Sequence, residues 1–465
     1  MLRAIEDVLG GHMPVQMLFD LMVGSGTGAV IATALQTKGQ TLDQCADMFT
    51  AICDHAYAPR PVLAPRSYLP NLKALDLVRP LREAFRSRPQ YKAELLHAAL
   101  RNTFTSHADL FGMPERYRPN GRVAMTSVRG VCGKMTVLAN YRRPDAPGAD
   151  YVFERAHEPR WEMKTWECLA ATMASPRYFE PLNAHGTSYV DGGRRCNDSA
   201  DLAAKEASSL WRDVVEPDVS VSLGTCQNQA ATRTEASRPA NPIRKWRLGQ
   251  HGDIFEAERS WQHTKAASMH RLHGKGLIRL NVDLGEDPPA QDRRDELQAL
   301  QNRVRRCLEE PHYRRVVEHI AHRLVATEFY LELRSQFLGE HGVPVVKGSI
   351  ACRRGDGTAE LRALGRVLNH LTHDGFEPYF LIRPWPGGTS FHFRVTITTK
   401  KIARMVNDAV FEQPHIPLRL EDAQRNISIN LFLSAQDGLE PNGLPISDFP
   451  RGIVRLPSDE MCGNI

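Results

Sequence analysis

Phe19 to Leu35 reads FDLMVGSGTGAVIATAL, and no other stretch restricts the fold of this chain as tightly. An apolar run, Phe19 to Val23, is followed at once by Gly24-Ser25-Gly26-Thr27-Gly28. Small and apolar residues at helical spacing come next: Ala29, Val30, Ile31, Ala34 and Leu35. The chain must reverse tightly between a buried strand and a helix, so the flanks of the turn must be small. Strand, glycine turn and helix form the setting of a nucleophile elbow, G-x-S-x-G. In an elbow the middle residue is strained and projects over the helix N-terminus, where an oxyanion can be stabilised. Here Gly24 and Gly28 supply the flanks, and Gly26 stands where the serine belongs. Gly26 relieves the strain and carries no nucleophile. Ser25 is one residue early, and making it the tip would put Val23 and Thr27 in the small positions, which is a poor fit. Ser25 therefore stays only as a substitute nucleophile candidate.

Gly24 to Ala29 also satisfies the dinucleotide fingerprint G-x-G-x-x-G/A. That motif needs a second strand ending in an acidic residue about twenty positions on. In its place stands Thr41-Leu42-Asp43-Gln44, a capping-box pattern that opens another helix through Cys45, Met48, Phe49 and Ile52. Two helices in succession break the strand-helix-strand unit and set the nucleotide reading aside.

A chain of 465 residues can bury a large core and is expected to form more than one domain. Its net charge of +5 is too small for this length to argue for nucleic acid, although a mildly basic surface suits weak attraction to anionic lipid headgroups. No apolar stretch approaches a membrane span, and the N-terminus has no signal-peptide core. The nine cysteines include no C-x-x-C pair, so the sequence indicates neither a metal site nor a disulfide framework, and no cofactor. The expected setting is a reducing, cytoplasmic one, with contact at membranes limited to the periphery.

Along the chain, residues 1 to 11 read as a helix ended by Gly10-Gly11. A Pro-containing connection spans 58 to 70, helical segments run on to about 110, and a turn-rich loop spans 113 to 121. Val123 to Val128 and Met135 to Tyr141 read as strands, Trp166 to Met173 as an apolar helix, and Thr187 to Val190 as a short strand leading into Asp191-Gly192-Gly193. Leu202 to Trp211 is expected to be helical and Val219 to Leu223 a buried strand. This alternation argues for an α/β fold with a mostly parallel, helix-covered sheet. Residues 227 to 250 read as a polar insertion and Leu277 to Leu284 as an edge strand, and 291 to 337 are expected to be helical. After Gly342, four strand patterns and one amphipathic helix (Leu361, Leu364, Val367, Leu368, Leu371) indicate a separate β-rich α+β region.

Asp191 is the second candidate for chemistry. It lies at a strand end before two glycines, Gly192 and Gly193, that let backbone approach closely. An aspartate there can act as general base for a hydroxyl within hydrogen-bond reach, or it can simply organise the turn. Taken together, the elbow, the stretch TWECLAATMASPRYFEPL, the segment YVDGGRRCNDSA and the strand VSLGT resemble the fungal-type patatin-like phospholipases in order and spacing over about residues 1 to 285.

The resemblance implies a three-layer α/β/α domain in which a Ser-Asp dyad hydrolyses lipid acyl esters without metal. It gives Asp191 the dyad acid/base role and Gly26 the nucleophile position, and it places Asn197 at a family asparagine. Asp198 and Ser199 depart from the Asn-Pro usual there. The family also begins with a strand and a D-G-G-G-x-R-G oxyanion loop, whereas Met1 to Ile5 looks like the helix that comes after that loop, so the domain is expected to be N-terminally incomplete. The expected organisation is a patatin-like domain over 1–285, a helical extension over 286–342 and a β-rich C-terminal domain over 343–465. The expected function is a lipid acyl hydrolase impaired at Gly26, with a non-catalytic lipid-binding or regulatory pseudoenzyme as the alternative. The partners implied are a lipid or acyl-ester substrate and a membrane surface, with no nucleic acid.

Overall fold

A computed structural model describes residues 1–58, 89–111, 121–130, 133–144, 149–156, 158–196, 198–212, 217–230, 257–266, 276–338, 344–372, 375–384, 393–419, 426–434 and 443–452. The connection after residue 58, the loop at 113 to 120, Asn197 and most of the expected insertion lie outside them. By compactness the chain divides into two units. One comprises Phe19–Pro217 and Ser222–Cys307; the other comprises Met1–Leu18, Asp218–Val221 and Leu308–Ile465.

The first unit is organised by a six-stranded sheet. Strand β1 (Leu21–Gly24) leads into α2 (Thr27–Lys38), numbered after α1 (Leu2–Val8) of the other unit, and α3 (Leu42–Ala56) comes directly after it. The capping box read from sequence is present: Gln44 N donates to Thr41 Oγ1 at 3.3 Å and Thr41 N donates to Gln44 Oε1 at 2.9 Å. After α4 (Ala93–Phe104) come β2 (Arg122–Arg129), β3 (Lys134–Ala139) and β4 (Val152–Phe153). Helix α5 (Thr165–Met173), the hairpin β5 (Leu182–Ala184) and β6 (Thr187–Asp191), and helix α6 (Ala200–Leu210) complete the core.

Strand β2 is central and is buried from Val123 to Val128, so both of its faces are covered. On one face Ala124 packs with Val137, Ala139 and Leu202 of α6, joined by Leu21 and Val23 of β1. On the other, the Ser127 hydroxyl bonds to Ala171 O of α5 at 3.4 Å. Helices on both faces make this a three-layer α/β/α domain. Helix α5 is buried along almost its whole length, and Ala170, Ala171 and Thr172 keep it slim enough to lie close to the sheet.

The sheet is mixed rather than mostly parallel. β1 runs parallel to β2 and β4 to β3, whereas β2/β3, β2/β6 and β5/β6 are antiparallel. Short hairpins cause the difference. His185 and Gly186, both at positive φ, link β5 to β6 as a two-residue turn whose twist suits paired strands.

Strands β7 (Ser220–Leu223) and β8 (Leu277–Leu280) form a two-stranded sheet, continued where Gly224 N donates to Leu280 O at 3.0 Å. Helix α7 (Leu297–Leu308) carries exposed arginines. The second unit packs α1 against α8 (Pro311–Ala326). Here the helical expectation for 291 to 337 needs correction, because the chain leaves the helix at Ala326 and Phe329–Leu338 is strand β9, paired antiparallel with β10 (Pro344–Cys352). FYLELRSQFL is rich in strand-forming residues, and its start alternates buried Phe329 and Leu331 with exposed Tyr330 and Glu332. The expected amphipathic helix is α9 (Ala359–Leu371); α10 (Thr399–Asp408) packs on it, and β11 (Tyr379–Pro384), β12 (Phe393–Thr396) and β14 (Asn426–Phe432) form a second antiparallel sheet, with β13 (His415–Arg419) on β10.

Candidate active site

Register alone brings the two halves of the expected site together. Gly24 at the end of β1 lies beside Met125, and Asp191 at the end of β6 lies beside Ser127. The far edge of β2 is taken by β3, so β1 and β6 share the same edge and approach each other end to end from opposite directions. Their partners are two residues apart, roughly 7 Å along a strand. Chain segments more than 160 residues apart in sequence therefore converge beside Thr126.

The turn after β1 is tight at Gly24 and Gly26. Gly26 caps α2 with φ 54° and ψ −122°, a conformation open to glycine and strained for other residues. Ser25 precedes this tip, and its carbonyl accepts from Gly28 N at 3.0 Å as the turn closes. Gly24 has no room for a side chain, since a Cβ there would lie 2.4 Å from Ala29 N. Gly28 is different: nothing lies within 4 Å of where its Cβ would be. The Gly26 N–H donates to the Thr172 hydroxyl at 2.9 Å.

Asp191 caps a short 3-10 turn, Gly192–Arg194, and its Oδ1 accepts from Gly193 N at 2.8 Å, so the turn-organising role is visible directly. A Cβ on Gly192 would lie 2.3 Å from Thr126 Oγ1, which explains the small residue there. The Asp191 N–H donates to Ala174 O at 3.0 Å, and the Ser127 hydroxyl donates to Val190 O at 2.8 Å. Thr172 and Ala174, at the C-terminal end of α5, thus hold one half of the site each.

A buried polar group a few residues after Asp191 had no role in the sequence reading. Asp198 is buried and accepts from the Ser222 hydroxyl at 2.9 Å and from Ala200 N at 3.3 Å. Arg279 of β8 donates to Ser222 Oγ at 2.8 Å and lies 3.6 Å from Asp198 Oδ1. Burial raises the Asp198 carboxyl above its ordinary range, against the opposing pull of Arg279 and Ser222. Asp198 is thereby matched by an arginine some eighty positions later, a pairing no local pattern announces. Thr172 had a weak signal, as a hydroxyl inside the buried run LAATMA, where it must find a partner.

Among the described residues no cluster of His, Cys, Asp or Glu is arranged to hold a metal, and no helix is long and apolar enough to cross a membrane. The family model of the patatin-like phospholipases matches residues 8–204. Calcium-independent phospholipase A2-gamma of Homo sapiens is 24% identical over 221 residues, covering 47% of this chain and 25% of that protein. Phospholipase A I of Arabidopsis thaliana is 23% identical over 259 residues, covering 48% of this chain and 19% of that protein. The chain thus spans about a quarter or less of the length of these relatives. The match falls on the α/β/α layers and the converging β1 and β6 ends: over residues 8–204 the chain is similar to the patatin-like phospholipase domain.

Proposed function

We propose that this chain descends from lipid acyl hydrolases, that its own hydrolysis is impaired, and that lipid acyl-ester binding is what remains. The observation that carries this is Gly26, which has the backbone of an elbow tip and no side chain to attack with. Losing the nucleophile of a serine hydrolase costs about a million-fold in turnover. Asp191 is the dyad acid/base in this reading and doubles as the cap of its own turn. Ser25 as a substitute is disfavoured because the positive φ belongs to Gly26 and not to Ser25. The two relatives named as phospholipases support a lipid substrate; contact with a membrane surface at the periphery is part of the same proposal.

Fluorophosphonate labelling of the folded chain, with the adduct mapped by mass spectrometry, tests this. The expected result is no adduct in the turn, together with retention of the chain on phospholipid vesicles. A stoichiometric adduct on Ser25 that disappears in Asp191→Asn would make the chain an active hydrolase with a shifted register and overturn the proposal.

A further inference from the structure

Gly26 lacks a side chain, yet its backbone is fixed on three sides. Toward β1, Gly24 lies so close to α2 that a Cβ would meet Ala29 N at 2.4 Å. Toward the helix, Ala29 N donates to Gly26 O at 3.1 Å. On the third side the Gly26 N–H reaches Thr172 Oγ1 at 2.9 Å, across 146 residues of sequence, and Thr172 is fully buried. Glycine by itself populates several wells of either sign of φ, so such a definite conformation has to be imposed from outside. The space at the tip is open: a Cβ on Gly26 would meet a single atom within 4 Å, Thr172 O at 3.9 Å, an ordinary contact.

We infer that Thr172 is the positioning residue of this site, its hydroxyl holding the elbow tip in the orientation a nucleophile needs whichever residue stands at position 26. The inference deepens the proposed function and rests on its reading of Gly26 as a vacated nucleophile position. Helix α5 then acts as a common ruler. Thr172 sets the tip, and Ala174 O, through the Asp191 N–H, sets the dyad carboxylate. Gly26→Ser would place a hydroxyl in the open space. With a fluorophosphonate its oxygen forms a bond to phosphorus, the P–F bond breaks, and the hydroxyl proton passes by way of Asp191 to leave with fluoride.

The Ser25-Gly26 dipeptide is the single Ser-Gly pair in the sequence. Labelling serine carbonyls with 13C and glycine nitrogens with 15N therefore gives one amide correlation, that of Gly26. In the unsubstituted chain this amide is expected to be protected from hydrogen exchange. Thr172→Val should move its proton resonance upfield, and Thr172→Ser should restore it. In the Gly26→Ser background, where the labelled pair is gone, fluorophosphonate labelling should appear at position 26, slow about a hundredfold with Thr172→Val and recover with Thr172→Ser.

A Gly26 amide that exchanges freely in the unsubstituted chain, or a resonance indifferent to Thr172→Val, overturns the positioning role. The exchange measurement needs no variant and so holds even if Thr172→Val does not fold. No labelling of Gly26→Ser, with the amide still responding to Thr172, leaves the positioning role standing and sinks the proposed function instead.

Discussion

The two glycines flanking the turn after β1 carry unequal demands, and that inequality is measurable. Gly24→Ala forces a Cβ into the α2 backbone and should cost at least the roughly 1–3 kcal/mol typical of overpacking, read by thermal or urea unfolding. Gly28→Ala meets open space inside the first turn of α2 and should be neutral or stabilising by about 0.5–1 kcal/mol. Equal losses at both positions would contradict the close approach at Gly24. A second residue-scale prediction concerns Glu206, fully buried on α6. It accepts from the Tyr141 hydroxyl at 2.8 Å, from the Tyr151 hydroxyl and from Arg143 Nε at 2.9 Å. Burial, and then Glu206, push both tyrosine hydroxyls above their ordinary range, so they stay protonated donors. Glu206→Gln leaves the buried Arg143 without a counter-charge and should cost about 3–5 kcal/mol in unfolding free energy. A loss below about 1 kcal/mol would place the pair in water after all.

Between elements, the contact of α4 with α5 is expected to respond to pH. His97 of α4 lies 5.7 Å from the Trp166 ring of α5, and the Arg101 guanidinium stands over that ring at 3.9 Å. Burial, followed by the Arg101 charge, lowers the His97 pKa from 6.5, with Glu94 and Glu167 pulling the other way. A base with a depressed folded pKa contributes stability that is present above its unfolded value of about 6.5 and lost as pH falls through the folded value. The unfolding midpoint should therefore drop as pH falls below about 6.5, and His97→Gln should flatten that drop. An unchanged slope in the variant would assign the acid sensitivity to other groups. Because α5 also carries Thr172 and Ala174, this helix links the stability of its own packing to the geometry of the turn.

At the scale of the whole molecule, compactness does not follow chain order. Met1–Leu18 belongs with Leu308–Ile465, and the short segment Asp218–Val221 joins them. Asp218 accepts from the Ser447 hydroxyl and from Asp448 N, each at 2.7 Å, which ties this crossing strand end into its unit. Ile5 of α1, fully buried, packs in the unit that contains α8. Ile5→Ala should then cost about 2–5 kcal/mol, read as lost hydrogen-exchange protection in β10 and β11 as well as in α1. Lost protection confined to α1 would show that the N-terminal segment folds apart from that unit.

What the sequence determined by itself was whatever depends on near neighbours. The strand, glycine turn and helix around Gly26, the capping box at Thr41, strands β2, β3, β6 and β10, and helices α5 and α9 are written in spacing and residue size over windows of a dozen residues. Local pattern also marked the turns at Gly24 and Gly192, because a tight approach of backbone to backbone or side chain leaves no room for a Cβ. Pairing was decided only in three dimensions. Periodicity tells that a residue is buried but not beside what, so the mixed sheet, the switch from α8 to β9 and the meeting of β1 with β6 beside Thr126 stayed hidden. Thr172 on Gly26, Arg279 on Asp198 and Arg143 on Glu206 belong to the same class. Each joins residues tens to more than a hundred positions apart, and a polar group buried by the fold takes its partner from whatever the fold places next to it.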